Sequence, residues 1–272
     1  MKSELRMEMT IRNAAFLIII MFTIVFSQNS AKLVIGATPV PHAEILEKAK
    51  DLLIKEHIDL QIKIFTDYVT PNIALQSGDI DANFFQHLPY LIDFNESHKL
   101  DLVSAGSIHF EPLGLYSKKI KSVTEFKKGD RIAIPNDLTN EARALLLLHN
   151  NHVITLNNPT NIKSTVRDIQ GYRVAVKIIE IEAAQLSRSL ASVTAAIING
   201  NYALDAGFDP SEDAIVSEDA KSIASETYGN IIAVRKENKS MTEITALISV
   251  LKSDEIKRFI RDKFRSAVLP VD

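Results

Sequence analysis

Two spacings of apolar residues alternate along most of this chain, and each change of spacing predicts a new element. Leu33-Val34-Ile35-Gly36 is an unbroken apolar run of strand length. From His42 to Glu56 the apolar residues Ile45, Leu46, Ala49, Leu52 and Leu53 fall on one face, the stripe of a helix. Leu60, Ile62 and Ile64 then alternate with polar neighbours, which is strand period. Pro71 to Gln76 predicts a short helix closed by Gly78, Asp81 to Phe85 a strand, Pro89 the opening of a helix towards Lys99, and Leu102 to Ala105 a strand.

The rhythm restarts after Leu113-Gly114-Leu115-Tyr116. Ser122-Val123-Thr124-Glu125 has the spacing of a capping box. Arg131 to Pro135 predicts a buried strand, Asn136 to Asn140 a polar turn, and Glu141 the opening of a helix that runs to Leu148. Strands at Ala175 to Ile181, Thr194 to Ile198 and Tyr228 to Val234, a short helix at Ala183 to Leu190, and helices at Met241 to Leu251 and Ser253 to Phe264 complete the pattern. Repeated strand–helix order predicts α/β layers with mostly parallel sheets, packed as two lobes with a ligand cleft between them. No repeat of about 20–50 residues is visible, which excludes a solenoid.

The first residues break the pattern. Ala14 to Phe26 is a nearly continuous apolar run, preceded by Arg6 and Arg12 and followed by the small and polar stretch Ser27 to Ala31. It is short for a membrane span, which needs about 20 apolar residues, and matches the core of a secretory signal. Residues 1–31 are therefore expected to be a cleaved export signal, with cuts possible after Ser27 or Ala31 and starts possible at Met1, Met7 or Met9; an uncleaved anchor is the alternative. The 272 residues are 46% hydrophobic, enough for a substantial core, and contain no cysteine, so neither a disulfide framework nor lipid attached to cysteine is available. The net charge of -3 and the shortness of the basic runs, Lys118-Lys119 with Lys121 and Lys127-Lys128, predict no nucleic-acid binding.

Three stretches carry candidate chemistry. The turn between the strand at Arg131 and its helix would point backbone N–H groups and the positive helix end into solvent, where an anion can dock, and Arg143 in the first helical turn could add a bidentate fork. An ordinary strand-to-helix connection fits the same residues. Phe85 and His87 lie two apart on an extended segment, Tyr90 follows just past Pro89, and Tyr68 could close the group. Such rings suit a slender, polarizable side chain such as a thioether, although a plain core cluster would also bury them. Asn199, after an apolar strand, offers a donor and an acceptor that could hold a carboxylate and an ammonium together, or could simply stabilise a turn with Gly200. No G-x-S-x-G elbow and no H-E-x-x-H spacing is present, and no nucleophile is evidently placed beside His87. An enzyme is not expected, a periplasmic hydrolase being the remote alternative, and neither metal nor cofactor is expected.

The segments Phe65 to Leu91, Glu111 to Ser122, Ile134 to Leu148, Glu180 to Leu190 and Ala195 to Ala203 resemble the substrate-binding proteins of methionine ABC importers. The likeness covers nearly the whole chain after the signal, with several long motifs in the family's order. It implies a bilobed periplasmic-binding-protein fold, with residues 32–111 and 230–272 in one lobe, 112–229 in the other, and crossings near 108–117 and 200–232. It implies capture of methionine, with Tyr68, Phe85, His87 and Tyr90 around the thioether and Arg143, Asn199 and Asn140 on the carboxylate and ammonium. A membrane permease with its ATPase is the implied partner, and a periplasmic monomer the implied state. Another apolar amino acid or a short methionine peptide remains the alternative ligand. Two positions depart from the family's pattern: the missing lipid-bearing cysteine, and Ser187 where proline is usual.

Overall fold

The computed structural model describes residues 30–219 and 223–271. The expected export signal lies outside this range except for its last two residues, and Ala31 is already the first residue of a strand. In chain order the first elements are β1 (Ala31–Ala37), α1 (Glu44–Leu53), β2 (Ile58–Ile64), α2 (Thr70–Ser77), β3 (Ala82–His87), α3 (Leu88–His98) and β4 (Val103–Phe110). There follow β5 (Gly114–Tyr116), β6 (Arg131–Pro135), α4 (Leu138–Asn150), β7 (Ile154–Leu156), β8 (Ile169–Tyr172), β9 (Lys177–Ile181), α5 (Leu186–Ser189), β10 (Ala195–Ile198), α6 (Gly200–Asp205) and β11 (Val216–Ser217). The last part holds α7 (Ile223–Thr227), β12 (Asn230–Val234), α8 (Thr242–Leu251), α9 (Asp254–Phe264) and β13 (Leu269–Pro270).

These strands form two main sheets, ordered β13-β4-β12-β3-β1-β2 and β11-β5-β10-β6-β9. Each packs its own apolar core: Leu33, Leu46, Phe84 and Ile260 belong to one, Leu115, Ile132, Leu145 and Ile197 to the other. The chain leaves the first sheet after β4 and re-enters it only at β12, so two lobes are joined by crossing segments. Both sheets are mixed rather than mostly parallel. In the first, β1 runs parallel to β2 and β3, but β12 lies antiparallel to both β3 and β4. In the second, β10 and β9 run parallel to β6 while β5 is antiparallel to β10. Strand β12, which returns from the second lobe, and β5, which leads into it, belong to no strand–helix–strand unit of the sheet they join, and both pair antiparallel.

Two local expectations are corrected. Helix α4 starts at Leu138, not Glu141, because Asp137 caps it: its carboxylate accepts the backbone N–H of Asn140 at 3.0 Å. Asn140 is therefore held inside the first turn rather than in a loop. Ser122 to Glu125 forms one tight turn rather than a capping box, because the Ser122 hydroxyl accepts from the Thr124 N–H and not from that of Glu125. Among the described residues no helix is long and apolar enough to cross a membrane.

Candidate functional site: a cavity shared by the two lobes

Strand β3 runs into α3 without a loop, and this junction sets one wall of the site. His87 is the helix cap: its Nδ1 accepts the Tyr90 N–H at 3.1 Å, which pins Tyr90 in the first turn beside Phe85. Tyr68 closes the group, with ring centroids 5.6 Å from Phe85 and 5.8 Å from Tyr90, and the Tyr90 hydroxyl donates to the Tyr68 carbonyl at 2.9 Å. On the other lobe, β6 delivers α4 with Asn140 and Arg143, and β10 delivers Asn199 at the start of α6. Tyr68, Phe85, His87, Tyr90, Asn140, Arg143 and Asn199 all line one cavity of about 330 Å³, together with Glu111, Asn201 and Asn230.

The polar end is a defined relay. Because His87 Nδ1 accepts, its proton sits on Nε2, which faces Asn140 Oδ1 at 3.2 Å. Burial, reinforced by the positive charge of Arg143, lowers His87 to about 3, so the ring is a neutral donor at neutral pH. Asn140 Oδ1 also accepts from Asn199 Nδ2 at 2.9 Å, and Asn140 Nδ2 donates to Asp137 at 2.9 Å. Asn199 is thereby oriented with its Oδ1 buried and without a hydrogen-bond partner. A buried acceptor left unmet is costly, and a ligand donor would satisfy it.

Arg143 differs from the free fork that the sequence suggests. Its Nε and Nη2 grip Glu218 at 2.7 and 2.5 Å, and Nη2 also donates to the Glu111 carbonyl at 2.8 Å. The guanidinium carbon lies 4.6 Å from the centre of the Tyr228 ring, a cation–π distance. Glu218 in turn accepts from the Leu113 N–H at 2.9 Å, tying it to the crossing segment.

Sequence reasoning missed Glu111, Asn201 and Glu218. Glu111 and Asn201 lie inside motif segments and could have been singled out, since a carboxylate and an amide there have no apolar pattern to explain them. Glu218 sits in a stretch without periodicity, 75 residues from its partner. Among the described residues His42, His109 and Glu111 also bring one possible metal donor each to within 4.8 Å of one another. Glu111 Oε1 lies 2.7 Å from His109 Nε2 and 3.3 Å from His42 Nε2, separations of hydrogen bonds between the groups themselves.

Two α/β lobes with crossing strands and a buried cavity shared between them define a bilobed binding protein of the periplasmic-binding-protein class. The sequence matches the family described as NlpA lipoprotein over residues 33–272, and the chain belongs to that family. It is 38% identical over 244 residues to the methionine-binding lipoprotein MetQ of Bacillus subtilis, covering 88% of each chain. Among solved structures, an ABC transporter periplasmic substrate-binding protein from Coxiella burnetii matches with a TM-score of 0.83 and 41% identity, covering 88% of this chain and 100% of that one. A nutrient binding protein from Burkholderia cenocepacia bound to methionine matches with a TM-score of 0.84 and 40% identity, again over 88% of this chain and 100% of the other.

Proposed function

We propose that this chain captures methionine in the shared cavity and delivers it to the membrane permease and ATPase of an ABC importer. The observation that carries this reading is the buried, unpartnered Oδ1 of Asn199, a residue that lines a cavity whose other wall is aromatic. An α-amino group supplies the missing donor. The carboxylate is then met by the Nη1 side of Arg143, since Nε and Nη2 already engage Glu218 and Glu111. The thioether lies among Tyr68, Phe85, His87 and Tyr90. Asn140 acts through its neighbours, holding His87 and Asn199 in register. The similar proteins from B. subtilis and B. cenocepacia, named for or bound to methionine, support the same assignment.

On this reading residues 32–111 with 230–272 and residues 112–229 are the two closing lobes of a monomer. Residues 1–31 direct export to the periplasm, and the protein binds without catalysing a reaction. Closure on the ligand is the signal that the permease reads, because only a state with different ligand affinity can report loading.

Side-chain selectivity tests the assignment. Sulfur–aromatic contacts are worth about 0.3–1.5 kcal/mol each, so norleucine, which lacks the sulfur, should bind more weakly than methionine. Methionine sulfoxide must bury a polar oxygen at a cost of about 1–3 kcal/mol, and the His87 N–H that could relieve it already faces Asn140. Competitive titration should give the order methionine, norleucine, sulfoxide, with Phe85→Ala narrowing the first gap. Sulfoxide binding as tightly as methionine would mean that the rings are ordinary core.

A further inference from the structure

Glu218 holds the guanidinium that the ligand carboxylate would meet, yet it does not itself line the ligand cavity. Arg143 lines both that cavity and a neighbouring one, whereas Glu218 lines only the neighbouring one, beside Leu146, Leu147 and Tyr228. Any effect of Glu218 on a bound solute therefore passes through Arg143.

Strand β11 sets this carboxylate in place. Val216 and Ser217 pair antiparallel with Leu115 and Gly114, and the next residue, Glu218, bonds Leu113 from both its backbone and its side chain. Its N–H donates to the Leu113 carbonyl at 3.0 Å, and its Oε2 accepts the Leu113 N–H at 2.9 Å. The position of the carboxylate is thus fixed by main chain as well as by Arg143.

The guanidinium is fixed in turn. Nε donates to Glu218 Oε1, and Nη2 donates to both Glu218 Oε2 and the Glu111 carbonyl. The rings of Tyr228 and Phe110 lie 4.6 and 5.6 Å from its central carbon. Nη1 makes no hydrogen bond among the described residues, so it is the edge left for a ligand.

Charge follows from this geometry. A lone buried guanidinium would attract a ligand carboxylate with a full positive charge. Paired with Glu218 it is close to neutral, and the incoming carboxylate meets a like charge across the guanidinium. At a separation of about 7 Å and an effective permittivity of about 20, that repulsion is worth roughly 10- to 100-fold in affinity.

We infer that Glu218 is a positioning residue that sets how strongly the site holds a carboxylate: it fixes the Arg143 fork with Nη1 free and offsets its charge, so that the bound amino acid is gripped loosely enough to be released. This inference rests on the methionine-capture reading and adds to it the residue that limits affinity. Removing the charge of Glu218 therefore tightens the binding of a ligand that carries a carboxylate, although it removes contacts from the fold.

Calorimetric titration of the wild type, Glu218→Gln and Glu218→Asp with three ligands tests this. Methionine carries both charges, γ-methylthiobutyrate lacks the ammonium, and methioninamide lacks the carboxylate. The glutamine keeps the shape and one acceptor but not the charge, so methionine and γ-methylthiobutyrate should each bind it about 10-fold more tightly or better, while methioninamide gains nothing. The aspartate keeps a buried counter-charge but draws it back by one methylene, and it carries the test if Glu218→Gln does not fold. It should show the same preference, with a gain of about 2- to 3-fold for the two carboxylates. A variant that only loosened the site would weaken all three ligands alike. Methionine bound no more tightly by the folded variants than by the wild type, or an equal gain for methioninamide, would overturn the proposal. A wild type that binds no methionine at all would instead remove the functional reading, and this inference with it.

Discussion

Replacing Arg143 with alanine should cost the fold about 3–5 kcal/mol and should also remove most methionine affinity. The stability loss follows from Glu218. The two side chains are 5% and 10% exposed and bonded at 2.5 Å, so the truncation strands a carboxylate away from water, and breaking a buried pair on one side costs about this much. The affinity loss has a separate cause, the missing donors for the ligand carboxylate, at about 2–5 kcal/mol. The double variant Arg143→Leu with Glu218→Leu separates the two. Removing both charges should recover much of the stability in urea unfolding, because no lone charge remains buried, while calorimetry should still show weakened binding. A double variant that binds methionine as tightly as the wild type would remove Arg143 from the site.

Acid should unfold this protein earlier than its carboxylates alone would predict. Burial lowers His42 to about 4, and His87 and His109 to about 3, from an ordinary value of 6.5. The unfolded chain takes up these three protons below about pH 6.5 and the folded chain does not until pH 4 or lower, so the stability they contribute is intact above 6.5 and is lost as pH falls towards 4. Each histidine contributes a slope of up to about 1.4 kcal/mol per pH unit in that window. Glu111 and Asp137 work against this, since burial raises both and the fold then takes up their protons first. The net effect between pH 7 and pH 5 is a loss of several kcal/mol, a fall in melting temperature on the order of 10 °C. Scanning calorimetry at the two pH values checks it, with His42→Asn expected to flatten the slope. Equal melting temperatures at pH 7 and 5 would show that the three rings are not held neutral.

What the sequence shows well is whatever depends on near neighbours. The helical stripe of α1 and the alternation in β2 follow directly from period. The Phe85, His87 and Tyr90 group forms because a strand passes straight into a helix at His87, so the residues meet within one turn. Longer-range partners leave no such trace. Arg143 pairs with Glu218 across 75 residues, and His42 meets Asn230 across 188, distances at which no local spacing constrains the choice. Position alone could suggest an anion site at Arg143 but not that a carboxylate already occupies half of its fork. His87 shows the same limit: its ring type suggests a wall for the thioether, whereas its bonds make it a donor that helps to aim Asn199. The mixed sheets were hidden for a related reason, since β12 resembles any other apolar strand and its direction is set by where the chain returns.

Isothermal titration of L-methionine into protein refolded free of ligand, with Asn199→Ala run beside it, tests the binding assignment most directly. The expected result is saturable one-to-one binding by the wild type, weakened by about 1–3 kcal/mol, roughly 5- to 150-fold, when the Asn199 acceptor is removed. Absence of saturable binding by the folded wild type, or equal affinity in Asn199→Ala, would contradict it.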